Sequence, residues 1–140
     1  MSSHIWDDIR SRMDGSHGEM IARSRDRIRV TAEIFTPSDL VIQMVQRLPL
    51  EVFRPGKTVL DPACGDGQFL VAAKWIKVLH FGMSEEDALR DIYGIDIMAD
   101  NVAVCRLRLG GGTVVIGDAL NPMRPIAGQT EYDRQILRDL

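Results

Sequence analysis

Asp61-Pro62-Ala63-Cys64-Gly65-Asp66-Gly67-Gln68-Phe69 is the stretch on which the fold turns. The triplet Thr58-Val59-Leu60 runs into it and reads as a short strand, and residues 68–81 read as a helix. A strand, a glycine-bearing turn and a helix in that order make the first half of a βαβ unit. Gly65 and Gly67 remove Cβ where a ligand's methionine or phosphate part would approach the backbone. The third glycine of a dinucleotide fingerprint is missing, because position 70 is Leu70, and no Gly-Lys-Ser/Thr supports a phosphate loop. A nicotinamide-dependent oxidoreductase is disfavoured on both counts.

Working outward, residues 68–81 are apolar except at Gln68, Lys74, Lys77 and His80, and the last three recur every three residues. That spacing predicts a largely buried helix with one narrow wet face. Gly82 ends it, and Ser84 caps a short helix over 85–91, with Asp87 near the capping-box position. Residues 92–97 read as a second strand, 100–109 as a helix and 113–116 as a third strand ending at Gly117-Asp118. On the N-terminal side, Ser38 is placed to cap a helix over 39–48 with Leu40, Val41, Met44, Val45 and Leu48 on one face. Ile5, Ile9 and Met13 make a helical stripe over 4–13, and residues 19–29 suit a second, loosely attached helix. The β-α-β-α-β order predicts an α/β fold with a parallel sheet and right-handed crossovers.

All three strands end in an acid, at Asp61, Asp96 and Asp118. Ligands of such sheets bind beyond the carboxyl ends of the strands, so three acids and a glycine turn point to a nucleoside site. Asp96 suits a ribose and Asp118 the amine of an adenine; a helix N-cap is the plain alternative for each. The 140 residues carry a net charge of −3, which disfavours a whole-surface nucleic-acid binder. Arg23, Arg25, Arg27 and Arg29 nevertheless stand close together against the single acid Asp26, a candidate phosphate contact or a solvated helix. Cys64 and Cys105 form no CxxC and sit among no clustered histidines, which argues against a metal site or a disulfide scaffold and fits a reducing cytoplasm. No apolar run is long enough for a membrane span, and MSSHIWDD lacks the apolar stretch of a secretory signal.

These residues resemble the N6-adenine DNA methyltransferases of restriction–modification systems and phages, from about residue 32 to 120. Ala32-Glu33-Ile34-Phe35-Thr36-Pro37 is similar to the motif preceding the fold in circularly ordered members, and Asp61 to Phe69 to the glycine motif. Gly94-Ile95-Asp96-Ile97 and Gly117-Asp118-Ala119-Leu120 fall where the next two motifs belong. The resemblance implies a Rossmann-like, class I methyltransferase sheet, truncated to three or four strands, that binds S-adenosylmethionine. It divides the chain into an N-terminal helical arm (1–31) and a cofactor-binding domain (32–140). It assigns Thr36 to the methionine carboxylate, with Phe35 and Pro37 lining the pocket; core packing of Phe35 and a turn hydroxyl at Thr36 are the alternatives. Asp61, Pro62, Ala63, Gly65 and Gly67 would surround the methionine part. Asp96 would take the ribose, Ile97 the face of the adenine ring, and Asp118 with the Ala119 N–H its polar edge. A bacterial cytoplasm, with a phage origin as one source, and DNA as substrate follow from the same resemblance.

One family feature has no counterpart. The [DNS]-Pro-Pro-[YFW] motif that receives a flipped adenine is absent, since no two prolines are adjacent. Residues 131–137 resemble the approach to a fourth strand, but Arg138-Asp139-Leu140 stands where that motif would begin. No catalytic residue is assigned. The expected function is therefore an N6-adenine DNA methyltransferase, or the cofactor-binding part of one completed by another chain; a catalytically inactive binding or decoy protein is the alternative. If residues 131–137 fail to pair beside the first strand, its apolar edge is bare, and a second copy or a companion subunit is the expected cover.

Overall fold

Val59–Asp61, Ile92–Asp96 and Thr113–Ile116 are short runs rich in β-branched and apolar residues, and they pair as a parallel sheet. In the computed structural model, which describes residues 3–16 and 36–140, these are β1, β2 and β3. They stand in the order β1-β2-β3, with Val59 opposite Ile92 and Asp96 opposite Ile116. The helices are α1 (Ser3–Gly15), α2 (Ser38–Gln46), α3 (Gln68–Leu79), α4 (Glu85–Arg90), α5 (Ala99–Leu109) and α6 (Glu131–Asp139), with a 3-10 turn at Leu50–Phe53. The α/β, Rossmann-like parallel architecture is the one expected. The helix expected over 19–29 and the domain boundary at 31/32 lie outside the described residues.

Side chains alternate between the two faces of the strands. Ile92, Val114 and Ile116 face the main core with Leu70, Val71, Ile76, Val102 and Leu109 of α3 and α5. Gly94 lies on that same face, where a Cβ would come within 2.7 Å of Leu70 Cδ1, so the helix packs directly on the strand. Ile95 and Val115 point the other way, onto Leu137 of α6. Ile9 and Met13 of α1 are fully buried in the main core. Arg12 of the same helix stacks 4.4 Å over the Trp75 ring of α3.

Several local expectations are corrected. Residues 131–137 are not the approach to a strand; they belong to α6. Thr130 and Asp133 form a reciprocal capping box, the Asp133 N–H donating to Thr130 Oγ1 and the Thr130 N–H to Asp133 Oδ2. Glu131 pairs with Arg134 and Arg138 along the outer face, a helical rather than an alternating pattern. Among the described residues the sheet therefore has three strands, and β1 is paired on one side only.

The wet face expected on α3 is dry at two of its three positions. Lys77 is fully buried, and its ammonium donates to Asp91 Oδ2 (2.9 Å), Arg54 O (2.9 Å) and Lys57 O (2.8 Å). Lys74 donates to Leu109 O at 2.9 Å and pairs with Glu85 at 3.0 Å. Three-residue polar spacing looks the same whether the heads meet water or fixed oxygen acceptors. Ser38 is no cap either: it is the first residue of α2, and its hydroxyl donates to Asp14 Oδ1 of α1 at 2.6 Å. Ser84 does cap α4, accepting from the Asp87 N–H, while the Asp87 carboxylate turns to Arg90. No helix among the described residues is long and apolar enough to cross a membrane.

Candidate cofactor site

The carboxyl ends of β1 and β2 lie side by side because the strands are parallel and adjacent, which brings Asp61 and Asp96 to one edge of the sheet. The turn after β1 closes over them. Gly65 and Gly67 take left-handed backbone, with φ of 55° and 97°. The Gly65 N–H donates to Asp96 Oδ1 at 3.1 Å. Asp96 Oδ2 accepts from the Met98 N–H at 2.9 Å and from Asn101 Nδ2 at 3.0 Å. The Asp96 carboxylate thus ties the glycine turn to the start of α5. The alternative of a helix cap fails in its strict form, because the N-cap residue of α5 is Met98, whose own side chain makes no capping bond.

Asp61 Oδ1 accepts from the Ala63 N–H at 3.1 Å. Burial pushes the Asp61 carboxyl above the usual aspartate range; the Ala63 N–H pulls it back, and the negative Asp96 raises it further. Cys64, buried beneath the turn, is held as a thiol by a hydrogen bond to Cys105 and by burial. Both cysteines are free, and the fold brings them together although they are far apart in sequence.

An open cavity of about 440 Å³ lies along β1 and the glycine turn. Thr36, Asp61, Ala63 and Gly65 line its polar part, and Leu48, Phe53 and Phe69 are among its apolar walls. The Thr36 carbonyl accepts from Gln68 Nε2 at 2.8 Å, which fixes that segment against the start of α3.

The family described as N-6 DNA Methylase matches residues 22–110, well over half of the chain. The chain belongs to this family. It is also 29% identical over 114 residues to the bifunctional methionine biosynthesis protein MetXA/MetW of Rhodopirellula baltica. That match takes in 81% of this chain but 17% of the relative, so the chain spans about a sixth of that protein's length. No solved structure matches the chain.

The candidate residues fall into two groups. Thr36, Asp61, Ala63 and Gly65 share the cavity, and Asp96 reaches it through its bond to Gly65. Pro37, Pro62, Gly67, Ile97, Asp118 and Ala119 lie outside its lining. Ile97 is half exposed beyond β2. Asp118, beyond β3, accepts from the Leu120 N–H at 2.9 Å and from Arg124 Nη1 at 3.1 Å. Those two donors hold its carboxyl below the usual range. No helix begins there, so the N-cap alternative for Asp118 does not apply. Phe35 and the arginines at 23, 25, 27 and 29 are outside the described residues.

Sequence reasoning missed the residues that hold the cavity wall from behind. In the sequence Gln68 is a polar residue opening α3, yet it is buried and donates to Thr36 O and Ser38 Oγ. Arg108 has no sequence-based assignment, although it is a charged residue between Leu107 and Leu109 near the end of α5. A polar residue inside an apolar helical face was the available signal in both cases.

Proposed function

We propose that the chain binds S-adenosylmethionine across the carboxyl ends of its three strands, as the cofactor-binding part of an N6-adenine DNA methyltransferase. The observation that carries this reading is the cavity at the end of β1, in which Thr36, Asp61, Ala63 and Gly65 converge. Its chemistry suits an amino-acid end: a carboxylate for an ammonium, a hydroxyl and a backbone without Cβ for a carboxylate, and apolar walls for the methylene groups of the methionine side chain. Thr36, Asp61, Ala63 and Gly65 would hold the methionine part. Asp96 would hold the ribose, with Ile97, Asp118 and Ala119 at the adenine. At the adenine end, a ligand amine would compete with Arg124 for Asp118. When bound, the cofactor supplies a methyl group on a sulfonium; the chain's residues bind and orient it.

One sequence observation fits a second reading equally. The 140 residues contain no Pro-Pro dipeptide, the element with which the family receives its base. A catalytically inactive cofactor-binding protein fits that as well as an enzyme completed by a second polypeptide does. We assign DNA as the substrate of the completed enzyme. A second copy or a companion subunit is the natural cover for the edge of β1, where Leu60, Leu48 and Val52 are half exposed.

Calorimetric titration with S-adenosylmethionine, S-adenosylhomocysteine and NAD tests the reading. The first two are expected to bind and NAD is not. Asp96→Ala is expected to weaken binding by about 1.5–3 kcal/mol, the scale of hydrogen bonds to a charged group. Equal affinity of wild type and Asp96→Ala would remove Asp96 from the site, and no binding of either adenosyl ligand would refute the proposal. Incubation with labelled cofactor and mixed-sequence DNA separates the two readings: the isolated chain is expected to incorporate little label. Robust incorporation that Asp118→Ala abolishes would make the chain an enzyme in its own right.

A further inference from the structure

Arg108 is the most heavily used buried side chain outside the candidate site. Its side chain is fully buried, and each of its three guanidinium nitrogens is engaged. Nη1 donates to Asp66 O at 3.0 Å and lies 3.3 Å from Asp66 Oδ2. Nη2 donates to Gln68 Oε1 at 2.7 Å and to Met13 O at 3.2 Å, and Nε donates to Ser16 Oγ at 3.0 Å. Met13 lies in the last turn of α1 and Ser16 directly follows the helix; Asp66 belongs to the glycine turn and Gln68 opens α3. Gln68 passes the connection on, donating to Thr36 O at 2.8 Å and to Ser38 Oγ at 3.3 Å. Ser38 returns it to α1 at Asp14 Oδ1. Thr36, Asp66 and Gln68 all line the cavity.

The network is therefore a closed ring. It runs from the end of α1 through Arg108 to the glycine turn and the head of α3, on to the Thr36 segment, and back to α1. A planar guanidinium can hold several acceptors at fixed angles, which a lysine ammonium on a flexible stem cannot. Burial works against the charge on Arg108, and the neighbouring Asp66 carboxylate offsets part of that cost. The partners here are two walls of the cavity and a helix that contributes nothing to the cavity lining.

We propose that Arg108 is a positioning residue that couples the docking of α1 to the shape of the cofactor cavity, so that α1 acts as a brace for cofactor binding. This rests on the reading that the cavity takes S-adenosylmethionine. If the two events are coupled, the factor by which docked α1 raises cofactor affinity equals the factor by which cofactor stabilises docked α1.

The test uses the whole chain with S-adenosylmethionine as the probe. Arg108→Lys keeps the charge and loses the fork. In the free protein it is expected to lower the hydrogen-exchange protection of the Gly67 and Val71 amides, with those of β2 and β3 unchanged. It is also expected to raise the dissociation constant by roughly tenfold, within the usual range of coupling between sites. Ile9→Ala, on the buried face of α1 and outside the cavity lining, provides a second perturbation should Arg108→Lys fail to fold. It is expected to weaken cofactor binding as well, and bound cofactor is expected to slow exchange in α1 by the matching factor. A wild type that binds cofactor while Arg108→Lys and Ile9→Ala bind equally well, with α1 exchange unmoved, overturns the brace and leaves the binding reading intact. A wild type that does not bind overturns both. Unchanged protection of the glycine turn in Arg108→Lys overturns the positioning role whatever the cofactor does.

Discussion

Asp91→Ala is expected to be among the most destabilising single changes away from the candidate site. Lys77 lies on α3 with its side chain fully buried, and among the described residues Asp91 Oδ2 is its one charged acceptor, at 2.9 Å. The same oxygen accepts from the Gly56 N–H at 3.0 Å, so one carboxylate holds both the helix and the loop that leads into β1. Removing it leaves a buried ammonium with two carbonyls and an amide without its acceptor. Breaking a buried ion pair on one side costs about 3–5 kcal/mol. The Asp91 side chain is 12% exposed, so water can enter where the carboxylate was, which argues for the lower end. A loss of about 3 kcal/mol, with a urea dependence of roughly 1.5–2 kcal/mol per molar, moves the unfolding midpoint down by about 1.5–2 M. Asp91→Asn keeps the acceptor oxygen and the volume and is expected to lose about half as much. Asp87→Ala is the control, since Asp87 pairs with Arg90 on the surface and such pairs are worth about 0.3–0.5 kcal/mol. Urea unfolding followed by circular dichroism reads all three. An Asp91→Ala midpoint indistinguishable from that of Asp87→Ala would refute the reasoning, because Lys77 would then be finding solvent that the structure denies it.

Asp61→Asn tests the electrostatics of the cavity. A carboxyl raised on folding binds its proton more tightly in the native state, so its ionisation costs stability as pH rises through the window above the ordinary aspartate value. The variant is expected to be more stable than wild type near pH 7 and equal to it near about pH 3, where both are neutral; a constant gap in urea midpoint across that range would count against the raised carboxyl. Gly67→Ala is expected to cost well over the roughly 1 kcal/mol of a left-handed alanine, because its Cβ would lie 2.7 Å from Cys105 Sγ. Gly110→Ala, at φ 75° with nothing within 4 Å, isolates the backbone cost, and equal losses in thermal unfolding would show that the close approach to Cys105 is relieved. Leu137→Ala is expected to lose about 2–3 kcal/mol and to detach α6 from Ile95 and Val115, which loss of exchange protection confined to α6 would report.

The parts of this molecule legible in its sequence are those set by short-range periodicity. β3 was delimited to the residue, and β1, β2, α3 and α5 to within one or two at each end, because strand runs and helical stripes are local signals. The acids at the strand ends were legible for a topological reason: a parallel sheet gathers its carboxyl ends on one edge, so a residue's place in its own strand fixes its place in the site. Residues 131–137 mislead because their resemblance to the approach to a fourth strand rests on their place after the third, while the deciding feature is the Thr130–Asp133 box, which starts a helix there.

What sequence could not supply was the destination of polar groups inside apolar segments. Lys74, Lys77, Gln68 and Arg108 each interrupt a helical face that is otherwise buried, and water is the usual explanation for such an interruption. In every case the polar head instead meets backbone carbonyls or side chains from distant segments, as where Arg108 reaches back to Met13 and Ser16. The backbone acceptors among them belong to turns and helix ends, where carbonyls lack an intrahelical partner. A long cationic side chain on a central helix is the group that can reach them without leaving the core. The glycine turn and the loop into β1 are each held by such a cation from behind, so the front of the cavity is left to glycine backbone and the Asp61 carboxylate.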